Sequence, residues 1–303
     1  MTAHGDEALS VYKTPAGFAV PPEATRSSGG EDPLRDAPFI KRFLHHFRTE
    51  RAPFRWLLSR VLYRSRLGSL IKFSRGSYRM HFFATSMTLS AWDDSRAWRD
   101  DEVFLRRVLR EGDLVVDVGA NVGFVTLPAA SLVGKSGRVV AVEPHPQTFA
   151  YLRRNVKLNQ FGQVTLFNVA VGQTEGKVHF SSFALHDNNN RVVNRGLAVR
   201  LTTLDRLLQD EPREIRLLKV DVEGFEKFVF EGAVETLART QLIYFEIAEY
   251  NFVSNGYTTR DLLEFIVNSG FDLFVVDSSG KESPVGTAFV TDGWTNLLAR
   301  RKR

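Results

Sequence analysis

The chain has no cysteine, which excludes disulfides and every metal site built on thiolates. It has no apolar run approaching the ~20 residues a membrane-crossing helix requires. Residues 1–33 lack the basic-then-apolar order of a secretory leader. These absences point to a cytoplasmic protein. No internal repeat is visible, and no H-x-x-H, H-E-x-x-H or carboxylate cluster points to a metal site, so metal-independent chemistry is expected. What is present is ordinary: 303 residues, 43% hydrophobic and 25% charged, enough to bury a full core in one large domain with an extension.

Positive charge is concentrated rather than spread. Of the net +5, the stretch from Phe39 to Arg75 carries +9, with Glu50 as its one acid, so the remainder nets to −4. Ahead of it, residues 1–36 are rich in Gly, Pro, Ser and charge and read as a flexible tail. Residues 37–110 read as a basic helical extension with lead-in strands and a helix. Phe39, Ile40, Phe43, Leu44 and Phe47 fall on one helical face, Pro53 interrupts, and Trp56, Leu57, Val61 and Leu62 resume the pattern. Packing on the main domain is the plain reading of this basic stretch. Attachment to an anionic membrane surface, as a peripheral membrane protein, or to an acidic carrier is the sharper one. Nucleic acid is disfavoured, because no recognised module accompanies the interleaved aromatics. A strand from Tyr78 and a helix over Asp93–Arg110 lead into the main domain.

From residue 111 strands and helices alternate, the signature of a doubly wound α/β domain with a mostly parallel sheet. Seven strands are expected, at 114–117, 139–142, 164–170, 217–221, 242–247, 272–276 and 295–299. The informative stretch is Leu114-Val115-Val116-Asp117-Val118-Gly119-Ala120-Asn121-Val122-Gly123-Phe124. An apolar strand ends in an acid, two glycines turn the backbone sharply toward a bound group, and a helix follows. Pro128 sits near that helix's first turn, where a missing N–H costs least. The dinucleotide fingerprint G-x-G-x-x-G lacks its third glycine here, which argues against a nicotinamide-dependent oxidoreductase. Glu143, at the end of the second strand and followed by Pro144, is placed to accept hydrogen bonds from ribose hydroxyls.

The D-x-G-x-N-x-G spacing resembles motif I of the class I S-adenosylmethionine-dependent methyltransferases. Five blocks carry a closer resemblance: Asp117-Val-Gly-Ala-Asn-Val-Gly123, Glu143-Pro144, Asn168-Val-Ala-Val-Gly172, Thr203-Leu204-Asp205 and Lys219-Val-Asp-Val-Glu-Gly-Phe-Glu226, closed by Asn296-Leu297-Leu298-Ala299. Together they resemble the FkbM-type methyltransferases over about residues 111–301. The resemblance implies the class I fold over 111–303, S-adenosyl-L-methionine as cofactor and, most often, O-methylation of a small-molecule hydroxyl, including sugars and natural products. It implies that Asp117, Gly119, Asn121 and Gly123 line the methionine side, that Glu143 meets the ribose, and that Phe124 and Pro144 belong to the same cofactor-binding set. It also implies that Asn168 and Val169 border the adenine, while Asp221 faces the donor's reactive end.

Methyl transfer from a sulfonium is an in-line displacement, so alignment dominates and a base assists. Asp221 is the first candidate base, with Glu223, Glu246 and Glu226 behind it. Lys219 is placed to pair with one of them. His179 and His186 flank an insertion before the fourth strand and are read as surface or structural. The motif does not name the acceptor atom. A small-molecule amine therefore remains an alternative acceptor, and a non-catalytic ligand-binding scaffold of the same fold remains an alternative function.

Overall fold

Strands that are apolar along both faces need cover on both sides, and they make the centre of this molecule. The computed structural model describes residues 53–65, 67–94, 96–180, 192–193, 196–277 and 280–302. These fall within one compact unit, residues 46–303. The lead-in comprises helix α1 (Pro53–Ser65), a hairpin of β1 (Lys72–Arg75) and β2 (Tyr78–His81), and helices α2 (Ser86–Asp93) and α3 (Arg99–Val108). There follow β3 (Leu114–Val118), α4 (Thr126–Val133), β4 (Arg138–Val142), α5 (Pro146–Asn159) and β5 (Val164–Phe167). The short strands β6 (Ala170–Val171), β7 (Gly176–Phe180), β8 (Val192–Val193) and β9 (Leu197–Thr202) make a separate sheet in the order β6-β9-β7-β8. The chain continues with α6 (Leu204–Leu207), β10 (Ile215–Val220), α7 (Glu226–Glu231), α8 (Val234–Ala238), β11 (Thr240–Ala248), α9 (Glu249–Ser254) and α10 (Thr259–Asn268). It closes with β12 (Phe271–Val276), β13 (Glu282–Val285) and β14 (Trp294–Arg301).

The main sheet runs β13-β12-β14-β11-β10-β3-β4-β5. The five strands from β11 to β5 are parallel, and β14 lies antiparallel between β11 and β12. From β3 the chain winds outward through β4 and β5, then crosses back to β10 on the other side. The switch point therefore falls between β3 and β10, and ligands of such sheets bind beyond the carboxyl ends there. One face of β3 (Leu114, Val116, Val118) packs under α7 and α10 with Phe230, Leu263 and Ile266. The other face begins at Val115 and packs under α3 and α4 with Phe104, Leu105 and Ala129. Fully burying each such side chain is worth ~1.5–3 kcal/mol.

All seven expected strands are present, and an eighth, β13, joins the edge. Its Pro284 hides the pattern, since proline suits only an edge position. The expected third strand, 164–170, breaks in two: Asn168 turns the chain by donating its amide to the carbonyls of Glu143 (2.9 Å) and Pro144 (3.0 Å). The helix expected over 93–110 is shorter, because Trp98 takes a left-handed φ of 66° before α3 begins. Helical structure does not extend to Arg75 as expected; Lys72–Arg75 is a strand. Arg75 leaves the solvated rim altogether. It is buried, and donates to Glu102, to the Tyr78 hydroxyl and to the carbonyls of Ala91 and Ala97.

The expected boundary at residue 110 is not a packing boundary. Tyr78 and Met80 of the hairpin pack with Ala120, Val122, Phe124 and Leu127 of the glycine turn and α4. The tail over 1–36, the basic residues up to 52, and His186 lie outside the described residues.

Candidate active site

Strand register places three polar residues in one row. Asp117 on β3 lies opposite Lys219 on β10, which lies opposite Tyr244 on β11. The Lys219 ammonium donates to the Gly119 carbonyl at 3.0 Å and lies 3.3 Å from Asp221 Oδ2 and 3.5 Å from Asp117 Oδ1. Burial alone would strip its proton, but Asp221, Asp117 and Asp101 reverse that and hold Lys219 charged. Asp117 has no exposed surface, and its Oδ2 accepts the Thr126 hydroxyl at 2.5 Å. Asp117, expected on the methionine side, here braces the turn and the start of α4 from beneath.

The turn itself is built by close approach within the protein. Gly119 has φ 79°, and a Cβ there would lie 1.8 Å from the Asp221 carbonyl oxygen. Gly123 has φ 106°, and its Cβ would press on Leu127 and Leu152, each at 3.1 Å. Asn121 also takes a left-handed φ, 47°, which aims its N–H at Glu143 Oε2, 3.0 Å away. The other oxygen of Glu143 accepts the His145 N–H at 2.8 Å. Burial pushes the Glu143 carboxyl up to about 7 against the pull of those two N–H groups. Phe124 is a core residue, stacked on Trp98 at 4.8 Å, and Val169 is likewise in the core. Those two positions correct the expectation that they touch a cofactor. Asn168 is exposed and braces the Glu143-Pro144 carbonyls.

On the other side of the switch point the structure overturns the reading that no carboxylates cluster. Ligand oxygens of Asp221, Glu223 and Glu246 all lie within 4.8 Å of one another. Glu223 takes φ 55°, which brings it to Asn251 Nδ2 at 3.3 Å. Burial first, then Asp221, Glu223 and Glu226, push the Glu246 carboxyl far above the usual range. Glu226 is fully buried and accepts the N–H groups of Val222 (3.0 Å) and Gly224 (3.3 Å) and the Tyr257 hydroxyl (3.4 Å). It is a brace for the Val222–Phe225 turn. His179 is exposed on β7.

Asp101, Tyr244 and Asn296 escaped sequence reading. Asp101 stands among the first-turn acids Asp100-Asp101-Glu102, yet its carboxylate accepts the Tyr244 hydroxyl at 3.0 Å, and burial pushes it up to about 6. Asn296 is in register with Glu246 and bonds Tyr244. Two-residue spacing from Glu246 back to Tyr244 on β11 was the available signal.

The profile of the methyltransferase FkbM domain matches residues 117–273. The chain belongs to the FkbM methyltransferase family. Among relatives of this FkbM chain is the hexuronic acid methyltransferase AglP of Haloferax volcanii, 27% identical over 157 residues that are 51% of this chain and 64% of that protein. This chain thus spans less than two thirds of that relative. The 2-O-methyltransferase NoeI of Sinorhizobium fredii is 24% identical over 57% of this chain and 77% of its own. An S-adenosylmethionine-dependent O-methyltransferase structure from Thermotoga maritima aligns with a TM-score of 0.39 at 16% identity, covering 67% of this chain and 65% of that one.

The cofactor of the FkbM domain is S-adenosyl-L-methionine, and the residues here fit it. Glu143 spends one lone pair of each oxygen on the protein, keeping one on each for a ribose diol. Gly119, Ala120 and Asn121 form the adjoining turn, and Asp221 stands half-exposed beyond it.

Two outcomes follow from this geometry. Lys219→Met leaves the buried Asp117 carboxylate without its cation and should cost ~3–5 kcal/mol of stability by urea unfolding; a loss under ~1 kcal/mol would show that the ammonium is not what offsets Asp117. Glu226, like Glu143, is raised from 4.5 to about 7 by burial, so the native state holds protons that the unfolded chain releases. The associated stability is full below 4.5 and lost as pH rises through about 7. Melting temperature of the donor-free protein should fall between pH 5 and pH 8, and Glu226→Gln should remove about a quarter of that slope, the rest coming from Glu143, Asp101 and Glu246. A wild-type slope in that variant would remove Glu226 as a source.

Proposed function

We propose that the protein transfers a methyl group from S-adenosylmethionine to a hydroxyl oxygen of a small polyhydroxylated molecule, a sugar or natural product. The observation that carries this reading is the contrast among the acids. Asp117 and Glu226 are buried braces, whereas the Asp221 side chain is 40% exposed at the carboxyl end of β10, tied back by Lys219. It is the carboxylate placed to meet an acceptor. When bound, the sulfonium supplies an electrophilic methyl group. Asp221 accepts the hydroxyl proton as the new bond forms, an assistance worth ~10²–10⁴-fold. Lys219 and the Gly119 carbonyl fix where Asp221 stands relative to the turn. Relatives named for hexuronic acid methylation and for 2-O-methylation support a sugar hydroxyl over an amine.

The test is transfer of labelled methyl to a panel of neutral sugars, uronates and amines. Sugar labelling is expected, and Asp221→Asn should lower turnover by roughly 100-fold, well beyond any loss of donor affinity. Labelling of amines alone, or full activity in the variant, would defeat the assignment.

The lead-in helix supports a second element, attachment to an anionic membrane surface. α1 carries Arg55, Arg60 and Arg64 and no acid. It buries Ser59 and Leu62, while Phe54, Leu58 and Val61 lie on another side and are exposed. Arg60 is tied to Asp93 at 2.8 Å, so the apolar stripe is needed alongside the charge. Phosphatidylglycerol vesicles should sediment the protein and phosphatidylcholine vesicles should not. The Leu58→Asp/Val61→Asp variant should lose about ten-fold in binding. Equal sedimentation with both vesicle types, or none with either, would refute the attachment.

A further inference from the structure

The cleft at the switch point carries more negative charge than its one buried lysine balances, and part of that charge comes from outside the family-matched segment. Asp101 belongs to α3, ahead of residue 117. Its carboxylate is fixed by the Tyr244 hydroxyl at 3.0 Å, and the Tyr244 ring stacks on Phe104 of the same helix at 4.3 Å. Helix and strand thus hold this acid in place from two directions. Tyr244 is the neighbour in register of Lys219, and one step further along the same face stand Asp221 and Glu246. Asp101, Asp117, Asp221 and Glu246 therefore all fall within the electrostatic reach of the single Lys219 ammonium. Lys219 is already shared between Asp117 and Asp221.

We propose that this carboxylate surplus, with Asp101 as the member supplied by the lead-in helix, makes the cleft sort donor from product by charge, favouring cationic S-adenosylmethionine over neutral S-adenosylhomocysteine. The proposal rests on the methyltransferase reading above. The two molecules share the ribose, adenine and methionine groups and differ by one methyl and one positive charge. Whatever Glu143 and the glycine turn contribute cancels in the ratio of their affinities. The charge does not cancel, because carboxylates in a part-buried, low-dielectric cleft attract a sulfonium and gain nothing from a thioether.

The charge movement of the reaction fits this arrangement. As the acceptor oxygen bonds the methyl carbon, the carbon–sulfur pair stays on sulfur, and the hydroxyl proton passes to a carboxylate. One positive charge leaves the sulfur and reappears as a proton within the same cluster. The group that drew the donor in then has nothing to hold in the product.

The experiment is calorimetric titration of the full chain with each molecule, without an acceptor. Asp101→Asn keeps an oxygen for the Tyr244 hydroxyl while removing the charge. It should weaken S-adenosylmethionine about five-fold and leave S-adenosylhomocysteine within about two-fold. Tyr244→Phe removes the hydrogen bond but no charge, and should leave the ratio unmoved. An equal change for both ligands, no change for either, or a Tyr244→Phe shift as large as that of Asp101→Asn would overturn charge sorting while leaving the methyltransferase reading intact. Failure of the wild-type chain to bind either ligand would overturn both.

Discussion

A buried ammonium ties the two strands of the switch point together. Lys219 enters from β10, crosses to the carbonyl of Gly119 just beyond the end of β3, and lies between the carboxylates of Asp117 and Asp221. Burying an isolated charge is costly, and this one is tolerated because two acids and a carbonyl meet it at once. The dependence runs in both directions. Asp117 has no exposure and finds its counter-charge in Lys219, while the acids hold Lys219 charged against the pull of burial. The glycine turn is held in the same way, since any Cβ at Gly119 would collide with the Asp221 carbonyl. A turn pressed that closely on the neighbouring strand has one position available, and the cleft inherits that rigidity.

The acids of the site divide by solvent access into two kinds of work. Asp117, Glu143 and Glu226 are buried, and each accepts hydrogen bonds from the protein: a hydroxyl, two strand-end N–H groups, and two turn N–H groups with a phenol. Asp117 and Glu226 set where backbone goes, and Glu143 does so while keeping a free lone pair on each oxygen. Asp221, Glu223 and Glu246 are only partly covered and crowd one another. Burial first, and then the crowding of like charge, raises the cost of ionisation at this strand end, as the Glu246 carboxyl shows. Buried braces beneath and partly covered acids above is a division that residue type alone does not reveal.

Much of this was legible in sequence because it rests on local pattern. Continuous apolar runs mark β3, β4, β10 and β11, positive-φ glycines mark the turn, and Glu143 follows at the end of the next strand. Thr203 and Thr258 mark helix starts, and both accept the N–H three residues on. What was not legible depends on tertiary neighbours. Phe124 and Val169 sit beside cofactor-type motifs, yet their side chains point into packed core. Lys72–Arg75 shares the basic composition of the helix before it but finds a partner strand in Tyr78–His81. Asp101 looks like a routine first-turn acid until β11 places Tyr244 against it.

That last case bears on what the catalytic unit is. The family-matched segment begins at Asp117, but its glycine turn packs on Tyr78 and Met80, Phe124 stacks on Trp98, and the Tyr244 hydroxyl donates a hydrogen bond to Asp101. All four partners precede the segment. Arg75 anchors the arrangement from its own side, bonding Glu102 on the same helix as Asp101 and the carbonyls of Ala91 and Ala97. An α/β core of this kind presents its strand ends to solvent unless something covers them. Here the hairpin and α3 provide the cover and add a carboxylate to the cleft. The lead-in thus packs directly on the glycine turn and on β11 rather than standing apart from them.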